Sequence, residues 1–152
     1  MNSKEIFHLM CSDHHIKKIF YGVFPRDKLP KKIYKKPGIF IINTDSSDKI
    51  GEHWVAIYLD VNGRAEYFDS FAIPPRSNDI KSFLKKNSNF CKYNTKILQP
   101  VFSDTCGYFV FYYAYRKARG YKIHNIVSKL RMYKPNLNNT VVTNFATHFL
   151  RK

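Results

Sequence analysis

The sequence predicts one α+β domain in which a mixed sheet packs on a central helix enclosed on every side. Three observations carry that expectation. Gly107 to Ala118 is apolar around the whole helical circumference, as a helix in the middle of a domain must be. His53 to Leu59 and Ala65 to Phe68 are runs of β-type residues joined through Asn62-Gly63, which marks a tight hairpin. Helical and strand segments are interspersed along 152 residues with no internal repeat, no Gly/Ser linker and no low-complexity run, so a single unit spanning 1–152 is expected.

In chain order, Ser3 is placed to cap a short helix through Met10. Asp13 can cap a second one running towards Phe20, where Gly22 and Pro25 stop it. The basic segment 25–37 holds Pro25, Pro30 and Pro37 and reads as a surface connection into Ile39-Phe40-Ile41-Ile42, a buried strand. After a loop over 43–51 comes the hairpin, whose second strand is ended by Pro74 and Pro75. Ser77 can then cap a helix with Ile80, Phe83 and Leu84 on its inner face. Tyr93 to Leu98 reads as another strand. Beyond Gln99-Pro100, Ser103-Asp104 can cap the central helix near Thr105 or Cys106, with Asp104 aimed at backbone amides, and Arg116, Lys117 and Arg119 complement its other end. Two further helices, His124 to Met132 and Asn139 to Leu150, are separated by the breaker Lys134-Pro135-Asn136.

Lys and Arg number 26 against 11 Asp and Glu, a net charge of +15. Long-range attraction to polyanions follows, so DNA is an expected partner; a solvated basic surface with no single ligand gives the same count, and charge alone does not separate the two. Cys11, Cys91 and Cys106 cannot all pair within the chain, and Met1 to Met10 lacks the apolar core of a secretory signal, so a reducing, intracellular compartment is expected. The longest unbroken apolar run, Tyr108 to Tyr115, is far short of the ~20 residues that cross a bilayer. No Cys-x2-Cys, His-x3-His or His-Glu-x-x-His spacing points to a metal, and the scattered glycines form no phosphate-binding loop.

Cys106 stands apart. It lies at the N-terminus of the central helix, where open amides and the helix dipole favour a thiolate, although a lone cysteine in an apolar segment is often just a small buried hydrophobe. Its company matters more. His53 opens one hairpin strand and Asp69 closes the next, and a tight turn near 61–63 puts the position facing His53 between Asp69 and Ala72. Imidazole and carboxylate would then be direct or diagonal neighbours, ~5–8 Å apart at their β-carbons. Cysteine, histidine and an orienting carboxylate attack an amide carbonyl, with the histidine serving as base and then acid. Gln99, on the approach to the same helix, can offer its side-chain amide to the oxyanion, with the Cys106 amide as second donor. Trp54 is placed to line a cleft beside the base, or to be a core aromatic. Gly107 can let a substrate carbonyl approach the helix end, or serve packing alone.

Gly51-Glu52-His53-Trp54-Val55-Ala56, Tyr67-Phe68-Asp69-Ser70-Phe71 with Pro74-Pro75, and Gln99 followed by Cys106-Gly107-Tyr108-Phe109-Val110 resemble the adenain-like cysteine proteases. That family holds the adenovirus endopeptidase and the proteases of Maverick/Polinton elements and adintoviruses. The likeness runs from about Gly22 to Tyr115 and includes Phe40-Ile41-Ile42-Asn43-Thr44 ahead of the histidine strand. It implies a papain-like fold, the catalytic residues His53, Asp69 and Cys106, and an oxyanion hole of Gln99 and the Cys106 amide. The implied activity is cleavage of capsid and core precursors during particle maturation, in the virion and at the host nucleus or assembly site. No cofactor is implied for the chemistry itself, but stimulation by DNA and by a short viral peptide is, with Cys91 roughly where that peptide forms a disulfide. The same clan contains proteases that remove ubiquitin-like modifiers. Asp69, where adenovirus enzymes carry Glu, is shared with them and keeps deconjugation as the alternative, whereas the short chain and Pro74-Pro75 point to the viral side.

Overall fold

The computed structural model describes residues 1–51, 53–131 and 134–151. Among these, the chain forms α1 (Ser3–Cys11), α2 (His14–Ile19), β1 (Phe20–Pro25), β2 (Gly38–Asn43), β3 (Trp54–Leu59), β4 (Arg64–Phe68), α3 (Asn78–Asn87), β5 (Phe90–Tyr93), α4 (Cys106–Lys117), α5 (Ile123–Arg131) and α6 (Pro135–Leu150). The strands lie in the order β1-β2-β3-β4-β5. β2, β3 and β4 are antiparallel, and a parallel strand is added at each edge. The architecture is α+β with a mixed sheet, as the patterning predicts.

Alternation along the strands sends residues to two different cores. Ile39, Ile41, Ala56 and Phe68 face one side, where they meet α4 together with α1, α2, α5 and α6. Phe40, Ile42, Val55, Ile57 and Tyr67 face the other, where α3 supplies Ile80, Phe83 and Leu84. The central strands are therefore apolar on both faces, which is why β2 reads as a continuous run rather than an alternating one. α4 is enclosed as expected. Phe109, Val110, Phe111, Tyr113 and Ala114 are fully buried, Phe68 stacks on Tyr113 at 4.6 Å, and Phe111 meets Phe145 and Phe149 of α6.

Several boundaries differ from the sequence reading. Asn2, not Ser3, caps α1 through a reciprocal box with Glu5. Asp13 caps α2 as expected, and Arg119 pairs with it at 2.8 Å. Gly22 and Pro25 do not end a helix. They sit in edge strand β1, where Gly22 takes a φ of +142° beside a register shift against β2, and an edge position tolerates proline. β5 covers Phe90–Tyr93 rather than Tyr93 to Leu98, because residues beyond Tyr93 leave the ladder to reach the candidate site. Pro135 does not break the last helix but begins it, since proline loses nothing at a first position whose N–H has no helical partner. Met132, the expected end of α5, lies outside the described residues.

Candidate active site

The open end of the sheet, where β2 and β4 finish and β3 begins, faces the N-termini of α3 and α4. A cleft of about 940 Å³ lies there, lined among others by His53, Asp69, Gln99 and Cys106. His53 directly precedes β3, and its carbonyl accepts from the Thr44 N–H at 2.9 Å, holding it in line with the ladder. Extending the β3–β4 register places Phe71 opposite His53 and Asp69 on the diagonal, inside the expected window. His53 Nε2 donates to Asp69 Oδ1 at 2.8 Å, and the ring packs on Phe71 with centroids 5.0 Å apart. Cys106 is the first residue of α4 and is buried, and it lines the same cleft as His53. Because Nε2 is engaged by the carboxylate, Nδ1 is the ring nitrogen left for sulfur.

Burial disfavours a charged imidazole, yet the hydrogen bond and charge of Asp69, together with the neighbouring Cys106, outweigh it and lift His53 from 6.5 to about 9. Asp69 is itself fixed. Its Oδ1 also accepts the Phe71 N–H at 2.8 Å. The buried Asn94 clasps its backbone, accepting the Asp69 N–H at 3.0 Å and donating Nδ2 to the Asp69 carbonyl at 2.6 Å. The asparagine side chain thereby imitates one more step of the β4–β5 pairing after Tyr67 and Tyr93. Gln99 is fully buried, with Oε1 accepting from Ser70 Oγ at 2.5 Å and Nε2 donating to the Ser103 carbonyl at 2.9 Å.

No side chain caps α4. Thr105 takes the N-cap position, Ser103 Oγ donates to the Pro100 carbonyl, and Asp104 lines the cleft instead of binding helix amides as expected. The positive end of the helix is thus turned to the cleft without a side-chain lid. A nucleophile, a base with its orienting carboxylate, and an amide beside the thiol together can perform acyl transfer.

No family model and no curated protein sequence matches the chain. Solved structures do. A selenomethionine crystal structure of the ASFV pS273R protease is 22% identical with a TM-score of 0.55, covering 78% of this chain and 46% of the protease. A second crystal structure of the ASFV pS273R protease is 18% identical with a TM-score of 0.57, covering 81% of this chain and 59% of that one. The fold matches that of the ASFV pS273R protease. The central domain of the Lpg1148 protein from Legionella pneumophila is 14% identical with a TM-score of 0.52, over 100% of this chain and 98% of the domain. The chain spans about half the length of the ASFV protease.

Within this shared fold, the remaining expected residues divide. Trp54 lines the cleft, nearly buried, and its indole N–H donates to the Met1 carbonyl at 3.0 Å. Gly107 does not line the cleft. A Cβ there would lie 2.9 Å from Met1 Sδ and 3.3 Å from Ile6 Cδ1, so the glycine makes room for the N-terminal segment, which is the packing role. Cys91 sits on β5 away from the thiol–imidazole pair, packed against the α3-side core, and burial with the Glu66 carboxylate pushes its thiol up to about 11. Among the described residues, no group of three or more His, Cys, Asp or Glu is arranged to hold a metal ion, and no helix is long and apolar enough to cross a membrane. The sequence reading missed Asn94 and assigned no role to Ser70 or Phe71, although the last two sit in the Asp69-Ser70-Phe71 string.

Proposed function

We propose that the chain is a cysteine endopeptidase of the adenain-like kind, cutting capsid and core precursors of a virus or virus-like element at small-residue, often Gly-containing, sites in the assembling particle. The observation that carries this reading is the His53 ring held at 2.8 Å by Asp69 in a cleft that Cys106 and Gln99 also line. The fold shared with a protease of a virus supports the viral side of the clan.

Cys106 passes its proton to His53, and sulfur attacks the substrate carbonyl carbon. The carbonyl electron pair moves to oxygen, where the Cys106 backbone N–H and the Gln99 amide stabilise it. As the carbon–nitrogen bond breaks, His53 gives its proton to the leaving amine, and an acyl thioester remains on Cys106. Water then loses a proton to His53, attacks the thioester and releases the acid and the thiol. Asp69 holds the ring in place and stabilises its charged form without itself taking the proton.

The +15 charge supports DNA as a stimulating partner. A short viral peptide is the second proposed activator, acting on a strand edge such as β5. Asp69 in the acid position favours one second reading, removal of a folded ubiquitin-like modifier. The deciding measurement is Cys106 alkylation by a small electrophile across pH, in wild type and His53→Ala, with and without duplex DNA. Fast labelling that depends on His53 and accelerates with DNA is the expected result. Slow labelling indifferent to His53 and DNA overturns the reading, and cleavage confined to a folded modifier with no DNA response selects the second one.

A further inference from the structure

Resting on the protease reading above, we propose that Ser70 is a positioning residue that anchors the Gln99 amide with its N–H end towards the thiol. A primary amide is nearly symmetric in shape, so a half-turn exchanges donor and acceptor at no steric cost, and only its partners distinguish the two orientations. Here both ends are held. Ser70 Oγ donates to Gln99 Oε1 at 2.5 Å, and Nε2 donates to the Ser103 carbonyl at 2.9 Å. A carbonyl cannot donate, so a reversed amide would set Oε1 against the Ser103 oxygen.

Ser70 and Gln99 are both fully buried, so without the hydroxyl Oε1 would lie in the interior with no donor, and the side chain would leave its place to find one. Ser70 also fixes the glutamine backbone, since its carbonyl accepts from Leu98 N at 2.9 Å and Gln99 N at 3.1 Å. One Nε2 hydrogen is taken by Ser103; the other is left to serve an oxyanion in the cleft that Gln99 and Cys106 both line. Adjacent residues thus serve opposite halves of the chemistry: Asp69 sets the base, Ser70 the oxyanion donor.

The test uses p-nitrophenyl acetate, which acylates a reactive thiol without a recognition sequence, with the Cys106→Ala background subtracted. Iodoacetamide labelling of Cys106 is measured in parallel because alkylation forms no oxyanion. Loss of one oxyanion donor lowers turnover by about 10²–10³-fold, so loss of its anchor in Ser70→Ala is expected to lower kcat by about 10-fold or more with KM and the alkylation rate unchanged. In the Gln99→Ala background, Ser70→Ala is expected to remove nothing further. Ser70→Cys, which keeps the volume but donates weakly, serves the same comparison where Ser70→Ala does not fold, with an intermediate kcat expected. Wild-type turnover in the Ser70 variants, an equal loss with Gln99 already removed, or alkylation falling in step with turnover overturns the proposal. Absence of Cys106-dependent ester hydrolysis in the wild type overturns the protease reading itself and Ser70's role with it.

Discussion

His53 Nε2 and the Phe71 backbone N–H converge on one oxygen, Asp69 Oδ1, each at 2.8 Å. The carboxylate is therefore held by the turn that follows β4 while it holds the ring just ahead of β3. The hairpin register alone does not place it, since the residue opposite His53 is Phe71.

The imidazolium must protonate the leaving amine, so kcat/KM is expected to fall on the alkaline side with a midpoint near the His53 value of about 9. Asp69→Asn keeps the shape and removes the charge. Burial then acts with less opposition, so the alkaline limb moves to lower pH, and turnover falls by roughly 10²-fold or more. A pH–rate profile of both proteins checks this, and a limb that stays in place refutes it.

The same shift sets a stability window. His53 binds its proton more tightly folded than unfolded, so its contribution is fully present below about 6.5 and is lost as pH rises through about 9. The Tm difference between wild type and His53→Ala is expected to shrink from pH 6 to pH 10. Thermal melts at four or five pH values read it directly.

Asn94→Ala leaves the Asp69 N–H and carbonyl without their buried partners. A loss of about 1–3 kcal/mol is expected in denaturant titrations. Because Asp69 would be less firmly placed, the alkaline limb should also move down, which a purely structural loss would not cause.

Glu66 accepts from Lys117 Nζ at 3.0 Å and Tyr113 Oη at 2.8 Å, tying the end of α4 to β4 under the Tyr58 ring. Lys117→Met leaves the carboxylate nearly buried without its cation and is expected to destabilise by about 3 kcal/mol. Adding Glu66→Gln should recover most of that. Equilibrium unfolding of the two single variants and the double one tests the coupling.

What was legible in the sequence depended on whether local pattern and tertiary environment agreed. Ile39 to Ile42, the Asn62-Gly63 hairpin, the Ser77 cap and the enclosed helix after Cys106 announce themselves because composition and position say the same thing. β1 did not, since a half-buried edge strand carrying Gly22 and Pro25 shows breakers and no alternation. Pro135 was misplaced because a proline reads alike just before a helix and at its first residue. Residue types and order single out His53, Asp69, Gln99 and Cys106, which the fold brings to one cleft. Asn94 escaped because it acts by copying backbone pairing, a geometric role that leaves no periodic trace. Gly107 reads equally as a cleft residue or a packing one, and only the nearness of Met1 and Ile6 shows what its missing side chain accommodates.

α4 is buried on every side, and its first residue carries the thiol, while the imidazole is mounted on the sheet. The distance between the two groups is thus a gauge of how well the two layers are docked. Reactivity at Cys106 should decay along the same denaturation curve as the core aromatics, so a single labelled thiol can report, in a crude mixture, what fraction of the chain is folded.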